Sequence, residues 1–241
     1  MPDRKRRGSS SHSYFDGHSY LRRVPFDDVQ LIDYAGPGDL LGFIDADPSK
    51  PLDSHIQVPP SHRLEFTYLA PADCGELLQP TSGPLVKPSL SYEQAIERGV
   101  QFDVILVPGG SGSRPPKTPP SLLQFVKAQS DGAKYVLSVC TGSRTLALAG
   151  VLDGKRATTN KSHFNEIVAI TSPTIQWVPK ARWVVDGKFW TSSCASSGID
   201  MAAAWLEHLV GTETTIKIRG VTEVSVRAQA DDEWAEYWGV H

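Results

Sequence analysis

FDVILVPGG, residues 102–110, and KYVLSVCTGSRTLALAGVL, residues 134–152, decide how this chain folds. Each begins with an apolar run too continuous for a half-solvated strand, the pattern of a strand buried on both faces. Between them, PPSLLQFVKAQSDG, residues 119–132, spaces Leu122, Leu123 and Val126 as a helix does and stops at a glycine. TGSRTLALAGVL opens a second helix directly after the second strand. Strand–helix–strand–helix with short connections implies a right-handed crossover and a parallel sheet. In such a sheet reactive groups collect at the carboxyl ends of the strands, where helices begin. Cys140 lies at such an edge.

Outward from this centre the pattern weakens. DYAGPGDLLGFI, residues 33–44, reads as a turn feeding a helix, with Pro37 near the first helical position. A Pro/Ser-rich connection, residues 45–62, precedes the strand RLEFTYLA, and Ser91 is placed to cap a short helix. KARWVVDGKFWTSS, residues 180–193, is a hairpin turning at Asp186 and Gly187. Trp183 with Trp190, and Trp177 with Phe189, read as hairpin and core packing. SSGIDMAAAWLEHLVG is a long helix, and residues 212–241 are polar and hard to assign. Residues 1–20 are basic at first, then rich in Ser, His and Tyr, and read as a mobile arm ahead of one α/β domain over residues 21–241.

The chain has 241 residues, 40% hydrophobic and 21% charged, enough for one sizeable core. A net charge of −3 provides no field to attract nucleic acid or an anionic membrane. No apolar run approaches the ~18–20 residues of a membrane span, and the N-terminus lacks the apolar core of a secretory signal. Cys74, Cys140 and Cys194 are spaced too widely and irregularly for a disulfide framework or a zinc site. These features point to a cytoplasmic protein with free thiols and no metal. The run Arg4-Lys5-Arg6-Arg7 reads as a solvated tail, with nuclear import as the alternative.

A nucleophile on a tight strand-to-helix turn needs small residues two positions to either side, and Ser138–Cys140–Gly142 obeys that rule with sulfur in place of oxygen. The start of the following helix favours thiolate over thiol and offers amides to developing negative charge. Gly109 and Gly110 end the neighbouring strand and allow close backbone approach, so the Gly110 and Thr141 amides can face one small site. A buried inert cysteine is the competing reading.

FDVILVPGG, SVCTGS, AGVLDGKRATTN, ARWVVDGKFWTSS and SGIDMAAAW together resemble the ThiJ/PfpI family of the class I glutamine amidotransferase-like superfamily. The similarity is greatest to its isonitrile hydratase-like branch, which has many fungal members, and Asp33-Tyr34-Ala35-Gly36-Pro37 matches that branch's motif after the first strand. The resemblance covers about residues 24–210. It implies a flavodoxin-like three-layer α/β sandwich: a mostly parallel central sheet, helices on both faces, and a nucleophile elbow at Cys140. It implies further that Cys140 is the nucleophile, that Asp33 faces it from the loop after the first strand, and that Gly110 and Thr141 donate to the oxyanion. Gly109, Asn160, Cys194 and Ala195 then line the pocket, no cofactor is needed, the substrate is a small molecule, and the protein pairs as a homodimer.

The chain departs from the family pattern in three places. Asn160 follows Thr158-Thr159 where many relatives have His, and no His follows Cys140; His163 reads as a surface residue. His163 and Glu166 do not match the His-x-Glu spacing of glutamine amidotransferases. Cys194 stands where relatives usually have glycine, as a tolerated change, a narrowing of the pocket or a redox partner of Cys140. Arg22 and Arg23 interrupt the first strand, which is therefore expected to be short, peripheral or unusually covered.

The implied chemistry is hydration of an isonitrile to an N-formamide through a Cys140 thioimidate, with Asp33 as acid and base. A tailoring enzyme with other Cys140 addition or elimination chemistry is one alternative. A redox-sensing or stress-response protein using Cys140 with Cys194 is another.

Overall fold

The structure is a computed structural model and describes residues 19–23, 25–47, 56, 58 and 62–241. Residues 1–18, with Arg4–Arg7, lie outside them, as does most of the Pro/Ser-rich connection. Chain order runs β1 (Ser19–Arg23), α1 (Leu31–Leu41), β2 (Leu64–Ala70), β3 (Leu90–Ser91), α2 (Tyr92–Glu97), β4 (Val104–Val107), α3 (Pro120–Ser130), β5 (Tyr135–Ser138) and α4 (Gly142–Leu148). It continues with β6 (Arg156–Ala157), α5 (Phe164–Ile170), β7 (Gln176–Trp177), β8 (Trp183–Asp186), β9 (Phe189–Ser192), α6 (Ser196–Val210), α7 (Thr212–Thr222) and α8 (Glu233–Tyr237). The seven-stranded sheet has the order β3-β2-β1-β4-β5-β9-β8. All neighbours pair in parallel except β8 and β9, the two arms of the expected hairpin. β6 and β7 form a separate parallel pair.

The unbroken apolar runs of β4 and β5 follow from helices on both sheet faces. Along β4, Ile105 and Val107 enter one core with Tyr92, Leu122 and Phe125, whereas Val104 and Leu106 enter the other with Leu40, Met201 and Trp205. Alternate residues therefore serve opposite cores, and no position is left for a polar side chain. Helices α2, α3 and α4 cover the first face; α1, α6 and α7 cover the second.

Three details differ from expectation. β1 begins at Ser19, two residues inside the expected arm, and lies between β2 and β4, so of the expected alternatives (short, peripheral or unusually covered) the peripheral one does not hold and the covered one does. Arg23 is tolerated in this central strand because its guanidinium lies 4.7 Å and 5.0 Å from the Phe66 and Tyr68 ring centres. It also donates to the Tyr68 hydroxyl and to the Gly38 carbonyl. Pro37 sits inside α1 rather than at its start, because the helix already begins at Leu31.

The polar tail is tied to the domain by backbone and side-chain hydrogen bonds. Arg227 N donates to Asp200 Oδ1 (3.0 Å), Arg182 N to Gln229 O (2.8 Å), and Gln229 Nε2 to Trp183 O (2.7 Å). The tail thereby runs beside β8 and over the start of α6. No described helix is long and apolar enough to cross a membrane.

Candidate active site

Around β1 the sheet reverses its direction of growth, and four connections meet at the carboxyl edge there, the usual location of an α/β ligand site. They carry Asp33, Gly109, Cys140 and Cys194. Cys140 has φ +58, outside the range an L-residue adopts without strain. Its carbonyl is pinned by Ser143 Oγ (3.1 Å) and Thr159 Oγ1 (3.2 Å), which over-determine the turn. The small residue two places on is required: a Cβ at Gly142 would stand 2.1 Å from Val107 O. Gly142→Ala is expected to cost about 1–3 kcal/mol in urea unfolding, with the Cys140 thiol displaced and its alkylation rate altered. Gly109 is likewise needed for close approach, since a Cβ there would meet Thr141 N at 2.6 Å.

Asp33 lies in the first turn of α1, not in a loop, and is fully buried. Its Oδ2 accepts from Gly109 N (3.1 Å), while Oδ1 has no hydrogen-bond partner among the described residues. Burial pushes its pKa up from 3.8 to about 6, against the opposing pull of the Gly109 and Ala195 amides and the Cys140 thiol. The carboxyl can therefore carry a proton close to neutral pH.

Cys194 Sγ lies 3.3 Å from Cys140 Sγ, although the two are 54 positions apart. The fold closes the spacing that argued against paired cysteines. The Cys194 thiol is pulled below its ordinary value, chiefly by the hydrogen bond it shares with Cys140 and then because the Asn160 side chain and Ala195 amide face it. Cys140 is held well above, by that same shared hydrogen bond, by burial and by Asp33, with the Thr141 amide opposing. Of the two coupled thiols, Cys194 is therefore the one that gives up its proton more readily, and the remaining proton is shared between the sulfurs. Cys194 stands within reach of the Cys140 proton in a chain that lacks the histidine many relatives carry.

Other placements are mixed. Asn160 Nδ2 donates to Cys140 Sγ at 3.4 Å, so Asn160 does face the site. The Gly110 amide does not: it donates to Thr141 Oγ1 (3.1 Å), which corrects its assignment as an oxyanion donor. The amides that face the reacting groups belong to Thr141 and Ala195. His163 is half-buried rather than a free surface residue; its Nδ1 lies 3.2 Å from Asn160 Oδ1 and 2.8 Å from Ser162 Oγ. It orients Asn160 and does not reach the sulfur itself. Trp190 and Trp177 pack into opposite cores, as read from the sequence.

Two residues escaped the sequence reading. Arg144 is fully buried behind the elbow, where its Nη2 donates to Ser113 Oγ (3.2 Å), itself 3.0 Å from Thr141 Oγ1. The paired carboxylate partner, Glu166, lies 3.9 Å away. Lys161, next to Asn160, forms a buried ion pair with Asp232 at 3.2 Å. The helical spacing of Arg144 within TGSRTLAL, which turns it inward, was the available signal.

Asp33, Cys140 and Cys194 present one oxygen and two sulfurs within 4.8 Å of one another, a set able to hold a soft metal ion. Two thiolates on tetrahedral zinc stand about 3.8 Å apart, so the 3.3 Å pair would have to open first. A cavity of about 330 Å³ opens onto Cys194, Asn160 and Ala195. A larger one, about 640 Å³, lies beside Cys74 and is lined by neither Cys140 nor Asp33.

Comparison with known proteins agrees with this geometry. Residues 61–208 match the DJ-1/PfpI family. The chain is 35% identical to an isonitrile hydratase of Pseudomonas putida over 190 residues, 78% of this chain and 71% of that protein. It is 29% identical to DJ-1 homolog A of Arabidopsis thaliana, over 50% of this chain but only 30% of that protein. Among solved structures, a ThiJ/PfpI family protein from Pseudomonas syringae superposes with a TM-score of 0.69 at 20% identity, covering 95% of this chain and 83% of that one. The elbow cysteine, the flavodoxin-like layering and these matches establish that the chain belongs to the DJ-1/PfpI family.

Proposed function

We propose that the protein hydrates an isonitrile to the N-formamide through a covalent adduct on Cys140. The observation that carries this reading is the Asp33 carboxyl, buried and titrating at about 6, set against the thiol pair. An isonitrile carbon accepts a nucleophile when a proton arrives at that same carbon, so a thiolate and an acid must reach one atom. Cys140 passes its proton to the Cys194 thiolate and attacks the carbon. Asp33 delivers its proton there, leaving a thioimidate on Cys140. Water adds next, losing a proton to the Asp33 carboxylate, while the Thr141 and Ala195 amides stabilise the developing charge. Collapse moves the Asp33 proton to nitrogen and the hydroxyl proton back to Asp33, breaks the carbon–sulfur bond and releases R–NH–CHO, while the leaving Cys140 sulfur takes back its proton from Cys194. The scheme needs no metal or organic cofactor. Likeness to a protein named isonitrile hydratase supports it. The test is formamide formation from an aryl isonitrile by the wild type and by Cys140→Ala.

The 3.3 Å sulfur separation favours a second reading, reversible oxidation. The Cys194 thiolate attacks hydrogen peroxide to give a sulfenic acid and hydroxide; Cys140 then displaces water, forming the disulfide. Overall, two thiols and one peroxide yield one disulfide and two waters. Cys74 is expected to stay reduced, since burial and nearby Asp27 and Asp73 raise its pKa. Peptide mapping after peroxide treatment is expected to find a Cys140–Cys194 link that dithiothreitol removes. Sulfinic acid at either residue without that link counts against this reading.

A further inference from the structure

The tail that resists assignment from sequence ends at the reaction centre. Buried Asp232 receives the Lys161 ammonium, and its Oδ1 caps α8 by accepting from Trp234 N (3.2 Å) and Ala235 N (3.3 Å). Lys161 sends its other protons to Thr158 Oγ1 (2.7 Å) and Ala181 O (3.0 Å), so all three donors are used. Lys161 is the residue after Asn160, which touches Cys140. The anchor therefore fixes the tail against the site itself.

So held, the tail places Trp234 and Trp238 in the wall of the 330 Å³ cavity that Cys194 and Asn160 also line. Cys140 is not in that lining, but its Sγ is 3.3 Å from Cys194 Sγ. The indoles remain 47% and 51% exposed, large apolar surface turned toward a cavity rather than into the core. A cavity of this size with aromatic walls and a few convergent polar groups is the composition of a small-molecule site. Its one permanently charged lining side chain is Lys161, already neutralised by Asp232, and Cys194 carries charge only when ionised, so the cavity offers no free fixed charge to an ionic ligand. Residues 234–238 lie beyond the part of the chain that matches the family, residues 61–208.

We propose that this cavity is the substrate pocket, in which Trp234 and Trp238 select an uncharged, planar aromatic group carrying a small electrophilic head that reaches the sulfur pair. The proposal rests on the reading of Cys140 and Cys194 as the reaction centre and does not depend on which electrophile the substrate carries. Indole faces favour a flat ring over an alkyl chain of similar reach.

The test alkylates the full-length protein with iodoacetamide or with its N-phenyl analogue, iodoacetanilide, and follows each cysteine by peptide mapping. Cys74, in a separate cavity, provides the internal reference. The phenyl reagent is expected to be favoured at Cys194 by about tenfold over its preference at Cys74, and this advantage is expected to vanish in Trp234→Ala/Trp238→Ala. An unchanged Cys74 rate in the double variant shows that it folds. Equal preference at the two cysteines, or an advantage that survives the double substitution, overturns the proposal. So does a Cys194 unreactive toward both reagents, the outcome if a second copy of the chain covers these indoles. A protein inert to aryl isonitriles that keeps the phenyl preference contradicts hydration and supports the pocket.

Discussion

Replacing Cys140 with alanine is expected to lower formamide formation from an aryl isonitrile by at least about 10³-fold. The sulfur is the only atom at the elbow able to form the adduct, and the neighbouring groups have no independent route. Cys194 lies 3.3 Å away, yet it is not itself the residue at the strained strand-to-helix elbow, where Cys140 has φ +58. Cys140→Ser is expected to be nearly as inactive, because the Cys194 thiolate is too weak a base to deprotonate a hydroxyl. Cys194→Ala is expected to have a different signature. A lone buried thiol beside Asp33 ionises at higher pH than the pair, so the acid limb of the pH–rate profile moves upward while turnover persists. Folding is expected to be intact in all three, since each change is small and leaves the carbonyl anchors of Ser143 and Thr159 in place.

Asp33→Asn is expected to lower kcat by about 10²–10⁴-fold, and at the same time to stabilise the protein. The pKa of about 6 lies above the ordinary 3.8, so the native state binds this proton more tightly than the unfolded chain does. Stability is therefore greatest below the unfolded value and falls as pH rises from about 4 to about 6. Above that window the full cost is present, about 3 kcal/mol from the size of the shift. Asparagine keeps the shape and the acceptor for Gly109 N without the charge. Urea unfolding at pH 7.5 is expected to show a higher midpoint for Asp33→Asn, whereas at pH 4 the two proteins are expected to coincide. An equal difference at both pH values contradicts burial as the cause. Such a trade of stability for function is usual at catalytic groups.

The central strands and the elbow were legible because their signals are local. β4 and β5 alternate between two cores, so every position is apolar, and the turn after β5 imposes size limits on its immediate neighbours. Asp33 and Asn160 were found through motifs that match position by position. What failed depended on distant partners. Arg23 in β1 is accommodated by Phe66, Tyr68 and Gly38, none adjacent to it in the chain. The Gly110 amide is taken by a hydroxyl 31 positions away, which no glycine pattern reveals. The pairing of Cys140 with Cys194, by contrast, was among the readings of the family resemblance, and the sheet order, with β9 beside β5, brings the two sulfurs within 3.3 Å. The tail was harder still, since its two tryptophans, Trp234 and Trp238, face a cavity and not a core. Asp232 before Trp234, Tyr237 and Trp238 is nevertheless a capping residue ahead of aromatics at helical spacing, a signal the polar composition around it obscured.

The most direct measurement is intact-mass and peptide analysis of protein acid-quenched during turnover of an aryl isonitrile. The expected result is a mass increase equal to one isonitrile, located on Cys140, that accumulates in the wild type and is absent from Cys140→Ala. Formamide production at the wild-type rate with no adduct, or an adduct confined to Cys194, would contradict the account.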